Sequence, residues 1–122
     1  MARILIIDDE ESFRMLLRLW LEEAGHEVLD APDGTTGIAL YRENLIDLLI
    51  LDLLMPGKTG IEVIMELRRD FPDANIITVS GGGPKGNFDY LPASRVLGAQ
   101  RSFLKPFNRR DLLAAITELV PI

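Results

Sequence analysis

The chain alternates short apolar runs with segments of helical periodicity, and this alternation predicts βα units built around a parallel sheet. Four of the apolar runs end abruptly in a polar residue. They are residues 4–7 before Asp8 and Asp9, 48–51 before Asp52, 76–79 before Ser80, and 102–104 before Lys105. Because the carboxyl ends of parallel strands meet at one edge of a sheet, we expect these polar groups to gather there, where ligands bind in open α/β sheets.

The remaining pattern places five strands, at 4–7, 26–29, 47–52, 75–80 and 102–105. The first helix is predicted to bury one face and to end at Gly25; that face consists of Phe13, Leu16, Leu17, Trp20 and Leu21. Further helices are expected at 35–43, after Gly60, and after Asn108, which is placed to act as an N-cap. With right-handed crossovers this pattern predicts an α/β three-layer sandwich with about five helices.

The segment 81–89 is rich in glycine and lacks any period. We expect a mobile loop there, at the carboxyl edge of the sheet, followed by a short helix around 93–97. Its glycines at 81, 83 and 86 formally match a dinucleotide-binding fingerprint. The context argues against nucleotide binding, because the segment follows the fourth strand, Pro84 interrupts it, and no acidic strand end follows at the required distance.

Length and composition limit the function classes. The 122 residues suit one domain, and the net charge of −6 argues against direct nucleic-acid binding, which needs a concentrated basic surface. The chain has no cysteine, which favours a reducing cytoplasm. We expect no signal peptide and no membrane span, because the amino terminus lacks a basic and apolar leader and no apolar run reaches the required ~20 residues.

The predicted cluster has a specific chemistry. Asp8, Asp9 and Asp52 would lie close together, and a hard cation would relieve their mutual repulsion. Magnesium fits, since it takes one or two carboxylates together with water and phosphate oxygens. Asp52 could then act as a nucleophile toward phosphorus, while Lys105 offsets charge on the phosphoryl oxygens and Ser80 contributes a hydroxyl.

Each residue also has an ordinary explanation. Asp8 or Asp9 could cap the first helix, Ser80 could belong to a turn, and Lys105 could be a solvated side chain. These separate explanations give no reason for all the polar groups to follow strands in this order. We therefore favour a shared site.

Together these residues resemble the receiver domain of two-component response regulators. The resemblance covers nearly all of 1–122, and its matching stretches are 4–10, 47–57, 60, 80–81 and 103–107. It implies a flavodoxin-like fold with strand order 2-1-3-4-5. It also implies that Asp52 is the phosphoacceptor, that Asp9 binds magnesium directly, and that Asp8 acts partly through water.

By the same resemblance, the backbone carbonyl of Leu54 completes the metal site. Ser80 and Lys105 match the family's switch hydroxyl and its lysine, and the Lys105–Pro106 bond matches its cis peptide. One departure is Ser102, which stands where the family often has an aromatic residue that couples to the hydroxyl. The neighbouring Phe103 should face the opposite side of the sheet. A second departure is the long, glycine-rich stretch between Ser80 and Lys105.

Two alternatives remain beside this interpretation. An aspartate-nucleophile phosphatase would resemble the site, but such enzymes usually place a second Asp two residues after the nucleophile, where this chain has Leu54. A degenerate receiver used only as a scaffold is disfavoured because all of the acidic and switch residues are present.

We therefore predict a cytoplasmic receiver domain over 1–122 that is no enzyme beyond its own phosphorylation and dephosphorylation. The resemblance implies a sensor histidine kinase or a histidine phosphotransfer protein as the donor, with the downstream target and the oligomeric state, a homodimer included, left open. The chain ends soon after Val120. Either it acts alone or it belongs to a longer protein.

Overall fold

The computed structural model describes residues 1–81 and 95–121. In chain order its elements are β1 (Arg3–Ile7), α1 (Glu11–Glu23), β2 (Glu27–Ala31), α2 (Gly34–Glu43), β3 (Leu48–Asp52), α3 (Gly60–Asp70), β4 (Ile76–Ser80), β5 (Arg101–Leu104) and α4 (Arg109–Leu119). The predicted strands are confirmed with their bounds moved by one or two residues. The expected loop at 81–89 lies outside the described residues except for Gly81. Of the short helix expected around 93–97, residues 93 and 94 also lie outside them, and residues 95 and 96 are helical.

The five strands form one parallel sheet of order β2-β1-β3-β4-β5, as the family resemblance implied. β3 lies at the centre and all of its residues are buried, which agrees with its uninterrupted apolar sequence. β2 and β5 are the edges, and both contain partly exposed positions. Within the described ranges four helices cover this sheet.

Helices cover both faces of the sheet, so the three-layer sandwich is confirmed. One apolar cluster joins α2 and α3 to the sheet face that includes Leu49, Leu51 and Ile76. The other joins α1 and α4 to the opposite face, which includes Ile50 and Ile77. Burial of each such aliphatic side chain stabilises the fold by about 1.5–3 kcal/mol, so the two clusters are the main source of stability for the sheet and its flanking helices.

Side-chain hydrogen bonds define the starts of two helices, and a glycine follows the end of a third. The Asn108 side chain accepts a hydrogen bond from the Asp111 N–H at 2.8 Å, which confirms it as the N-cap of α4. Thr59 and Glu62 form a reciprocal capping box at the start of α3. Gly25, at a φ of +91°, follows the end of α1.

The expected buried face of α1 is only partly correct. Leu17 and Leu21 are fully buried, and Phe13 and Trp20 pack partly against the same core. Leu16, however, is 41% exposed. Successive helical residues are separated by about 100°, and the buried stripe is centred on Leu17 and Leu21, so Leu16 lies beyond the edge of that stripe.

Candidate phosphoryl and metal site

Two buried carboxylates and one exposed carboxylate meet at the carboxyl edge of the sheet. Asp52 ends β3, and Asp8 follows β1, the strand that pairs with β3 through Ile7 and Leu51. Asp8 and Asp52 are almost fully buried, whereas Asp9 is exposed. One carboxylate oxygen from each lies within 4.8 Å of the others. The predicted convergence is therefore observed, with Asp9 on the side that faces solvent.

Lys105, the residue after β5, contributes a positive charge to the same site. Its backbone N–H donates to the Ser80 carbonyl oxygen at 2.8 Å, which ties the residue after β5 to the end of β4. Its ammonium group donates to Asp8 Oδ2 at 2.9 Å and lies 3.9 Å from Asp52 Oδ2. The peptide bond between Lys105 and Pro106 is cis, as the family resemblance implied.

The electrostatics of the site are dominated by the buried carboxylate of Asp52. Burial, reinforced by the neighbouring charges of Asp8 and Asp9, raises the pKa of Asp52 to about 7. Lys105 and the Leu54 N–H act in the opposite direction but do not cancel this effect. The protein without metal therefore holds a negative charge here only against a large desolvation penalty, and a cation bound beside the carboxylates would remove much of that penalty.

The loop after β3 fixes the orientation of Asp52. The Leu54 N–H donates to Asp52 Oδ1 at 3.1 Å, and the Gly60 N–H donates to the Leu53 carbonyl oxygen at 3.3 Å. A Cβ on Gly60 would lie 2.5 Å from both the Asp52 carbonyl oxygen and the Leu53 Cα. Gly60 is thus needed for the close approach of α3 to this loop, a role that its sequence position alone did not reveal.

Ser80 ends β4 at the same edge of the sheet. In the register of β3 and β4, Asp52 lies opposite Val79, so Ser80 is one residue further toward the edge. The Ser80 side chain is buried. This position agrees with the expected grouping of the hydroxyl with Asp52 and Lys105, although the switch role of Ser80 stays a prediction.

The position that is often aromatic in the family has a different environment here. The hydroxyl oxygen of Ser102 lies 2.9 Å from that of Thr78 on the neighbouring strand. Phe103 belongs to the apolar cluster on the opposite face and packs on Phe107, with ring centroids 5.3 Å apart. The prediction that Phe103 faces away from the Ser102 side is therefore confirmed.

Two contacts at the site were not expected from the sequence. The Arg14 guanidinium donates to the Asp8 carbonyl oxygen at 2.8 Å and so supports the acidic turn from α1. The Lys105 ammonium lies 3.9 Å from the centroid of the Phe13 ring. The sequence predicts only a core role for Phe13, because a single aromatic residue on an apolar helix face gives no signal for contact with a charge.

The helix-capping explanation of the acidic pair is not observed. The N-cap of α1 is Glu10, and it makes no side-chain cap hydrogen bond. Asp8 Oδ1 instead accepts the Glu10 N–H at 2.8 Å, while its second oxygen pairs with Lys105. The conformation of Asp8 therefore serves the charged cluster as well as the turn into α1.

A parallel sheet of this strand order, with three carboxylates and a lysine at its carboxyl edge, defines an α/β domain of the flavodoxin-like class with an anionic site. The sequence model of the response regulator receiver domain matches residues 4–117. The chain belongs to this family and is a receiver domain of the two-component response-regulator type.

Individual relatives agree with this assignment. The transcriptional regulatory protein CpxR of Klebsiella pneumoniae is 36% identical over 120 residues, which cover 98% of this chain and 50% of CpxR. Protein PilH of Pseudomonas aeruginosa is 32% identical over 120 residues, with 98% of both chains covered. The chain thus spans about half the length of CpxR but nearly all of PilH.

A solved structure shows the same fold. The response regulator TrrA of Thermotoga maritima, in complex with Mg2+ and BeF, has a TM-score of 0.86 and 33% identity, covering 98% of this chain and 100% of TrrA. The acidic cluster described above is a site of the kind that can hold such a cation. In the described part of this chain, no helix combines the length and apolarity needed to cross a membrane.

Proposed function

We propose that this receiver domain accepts a phosphoryl group on Asp52 from a phosphohistidine donor and passes the signal on through a conformational change. An Asp52 carboxylate oxygen forms a bond to phosphorus while the P–N bond of the donor breaks. The electron pair of that bond leaves with the imidazole nitrogen, which takes up a proton. The observation that supports this proposal most strongly is the meeting of Asp52 and Lys105, from distant parts of the sequence, with 3.9 Å between their charged atoms.

The groups that would hold a Mg2+ ion are the carboxylates of Asp8, Asp9 and Asp52 and the backbone carbonyl of Leu54. The donor chemistry fits, because three carboxylates offer oxygen atoms within 4.8 Å of one another. When bound, the ion offsets negative charge on the phosphoryl oxygens. The metal role of each residue, and of the Leu54 carbonyl in particular, is part of this proposal.

The protein's own groups prepare the transfer. The Leu54 N–H orients the Asp52 carboxylate. The Lys105 ammonium group lies near Asp52 and would donate a hydrogen bond to a phosphoryl oxygen as negative charge develops on that oxygen. Ser80 lies at the same edge of the sheet, one residue beyond Val79, which pairs with Asp52, and would donate a hydrogen bond from its hydroxyl to another phosphoryl oxygen. A loss of the phosphoryl group to water completes the cycle, so the domain acts on itself alone.

The proposal also covers the protein that donates the phosphoryl group and the compartment in which transfer occurs. A sensor histidine kinase or a histidine phosphotransfer protein would supply the phosphoryl group in the cytoplasm, as predicted from the sequence. The net charge of −6 supports protein partners over direct nucleic-acid binding. The downstream target and any homodimer are left open.

Intact mass measurement tests the proposal. Incubation with acetyl phosphate and Mg2+ should add one phosphoryl group to the wild type and none to the Asp52→Asn variant. Asp73→Asn removes an exposed carboxylate before β4, at the opposite edge of the sheet, and should be labelled like the wild type. Labelling of Asp52→Asn, or an unlabelled wild type, would contradict the proposal.

An aspartate-nucleophile phosphatase is the competing function. Leu54 stands two residues after Asp52 and offers no acid to a leaving group. Steady-state assay with a phosphomonoester and Mg2+ separates the two functions. We expect no sustained turnover, whereas many turnovers per molecule would favour the enzyme.

A further inference from the structure

We propose that Phe13 is a positioning residue for phosphoryl transfer, because its ring face holds the Lys105 ammonium group inside the acidic site. This inference rests on the proposed function of Asp52 and Lys105. The Nζ atom of Lys105 lies 3.9 Å from the ring centroid, well within the roughly 6 Å limit of a cation–π contact. Phe13 lies on α1, and Lys105 lies just after β5.

The ammonium group lies among three neighbours of different character. Asp8 accepts its hydrogen bond at 2.9 Å, Asp52 lies at 3.9 Å, and the face of Phe13 covers a further side. The Lys105 side chain is only 16% exposed. At this distance no water molecule fits between the ring and the ammonium group, so the ring excludes solvent from that side, and among residues 1–81 and 95–121 the carboxylates near the ammonium group are Asp8 and Asp52.

The ring itself is held in place by other aromatic residues. Phe13 meets Phe107 edge to face, with centroids 5.8 Å apart and planes at 83°. Phe107 also packs on Trp20 at 6.4 Å and on Phe103 at 5.3 Å. A ring packed in this way has less conformational freedom than the flexible four-carbon stem of the lysine.

This arrangement helps transfer because the charge is placed before the reaction begins. An ammonium group already held beside Asp52 needs little reorganisation to donate to the phosphoryl oxygens as their charge increases. Without the ring, the flexible stem of Lys105 would reach more solvent and would spend part of its time outside the site. The prediction is a slower phosphorylation step with unchanged chemistry at Asp52.

Ring fluorination tests the electrostatic part of this inference without changing the fold. Phenylalanines carrying one, two and three fluorine atoms at position 13 keep the shape of the ring but weaken the negative potential of its face. The rate constant for phosphorylation by acetyl phosphate, at saturating Mg2+, should fall with each fluorine and reach about one fifth of the wild-type value, which corresponds to about 1 kcal/mol. An unchanged rate across the series would overturn the inference.

A double-mutant cycle separates positioning from packing. Phe13→Leu should slow phosphorylation about fivefold in the wild type but leave the residual rate of Lys105→Met unchanged within about twofold. Phe13→Tyr, which keeps the ring face, should restore a nearly wild-type rate. If Phe13→Leu slows both backgrounds equally, the residue acts through packing alone and the inference is wrong.

A matched control is available at the other end of the molecule. Phe71 follows α3 and lies under the Arg42 guanidinium, 5.6 Å from its ring centroid. Phe71→Leu removes a similar contact far from Asp52 and should leave the rate unchanged; a matching loss there would contradict a local role for Phe13. If the wild type accepts no label, the proposed function fails together with this inference. If the wild type is labelled but fluorination has no effect, only the role of Phe13 fails.

Discussion

Replacing Asp52 by asparagine should stabilise the protein when no metal is present. The carboxylate is only 4% exposed, and burial together with the charge of Asp8 raises the pKa of Asp52 from 3.8 to about 7. The folded state therefore holds the proton more tightly than the unfolded state does. It follows that stability from this group is present at acidic pH and is lost as the pH rises from about 4 through 7.

The size of the effect follows from the two pKa values. A pKa of about 7 in the folded state against 3.8 in the unfolded state corresponds to about 4 kcal/mol of destabilisation at pH 8. Asparagine removes the charge and keeps an oxygen that can accept the Leu54 N–H, but its amide N–H groups must find partners in a buried place. We therefore expect Asp52→Asn to raise the free energy of unfolding by about 2 to 4 kcal/mol at pH 8.

Urea unfolding in the presence of a chelator measures this gain. The difference between Asp52→Asn and the wild type should fall by about 2.5 kcal/mol between pH 8 and pH 5, because over this range the wild-type carboxyl becomes protonated in the folded state but stays mostly ionised in the unfolded state. The exposed control Asp73→Asn should change stability by less than about 0.5 kcal/mol at both pH values. A destabilised Asp52→Asn protein, or a gain that does not depend on pH, would refute the electrostatic reasoning.

Two further predictions concern the metal and the loop. Mg2+ should bind the wild type more weakly as the pH falls below about 7, because the ion must displace the proton on Asp52. Titration calorimetry should find tighter binding at pH 8 than at pH 6 and little binding to Asp9→Asn. A pH-independent affinity would contradict this. Gly60→Ala should lower the free energy of unfolding by more than about 2 kcal/mol, since its Cβ would lie 2.5 Å from backbone atoms. A Cβ at Gly81 meets no atom within 4 Å among residues 1–81 and 95–121, so we expect Gly81→Ala to be nearly neutral. Equal effects of the two alanine substitutions in urea unfolding would show that the close approach at Gly60 is not limiting.

The architecture of the sheet and the composition of its acidic edge were predictable from the sequence. Apolar runs that end in Asp8, Asp52 and Lys105 indicate where parallel strands stop, and the geometry of a parallel sheet then brings these residues to one edge. The alternation along β5 also predicted that Phe103 faces away from Ser102, and the structure confirms this. These inferences succeeded because each depends on a local period and on a general rule of topology.

Contacts between distant side chains were not predictable in the same way. Nothing in the sequence near Phe13 indicates a charge 3.9 Å from its ring, because Lys105 reaches it from the other end of the chain. The exposure of Leu16 likewise depends on where α1 rests on the sheet, which helical periodicity alone does not determine. The tight packing around Gly60 became apparent only from the backbone of the loop after β3.

Chemical trapping of the phosphorylated residue tests the central claim most directly. After incubation with acetyl phosphate and Mg2+, borohydride reduces an aspartyl phosphate to homoserine, and tandem mass spectrometry of the digested protein locates it. We predict homoserine at position 52, and none when Mg2+ is removed by a chelator. Homoserine at Asp8 or Asp9, or equal trapping without the metal, would contradict the account.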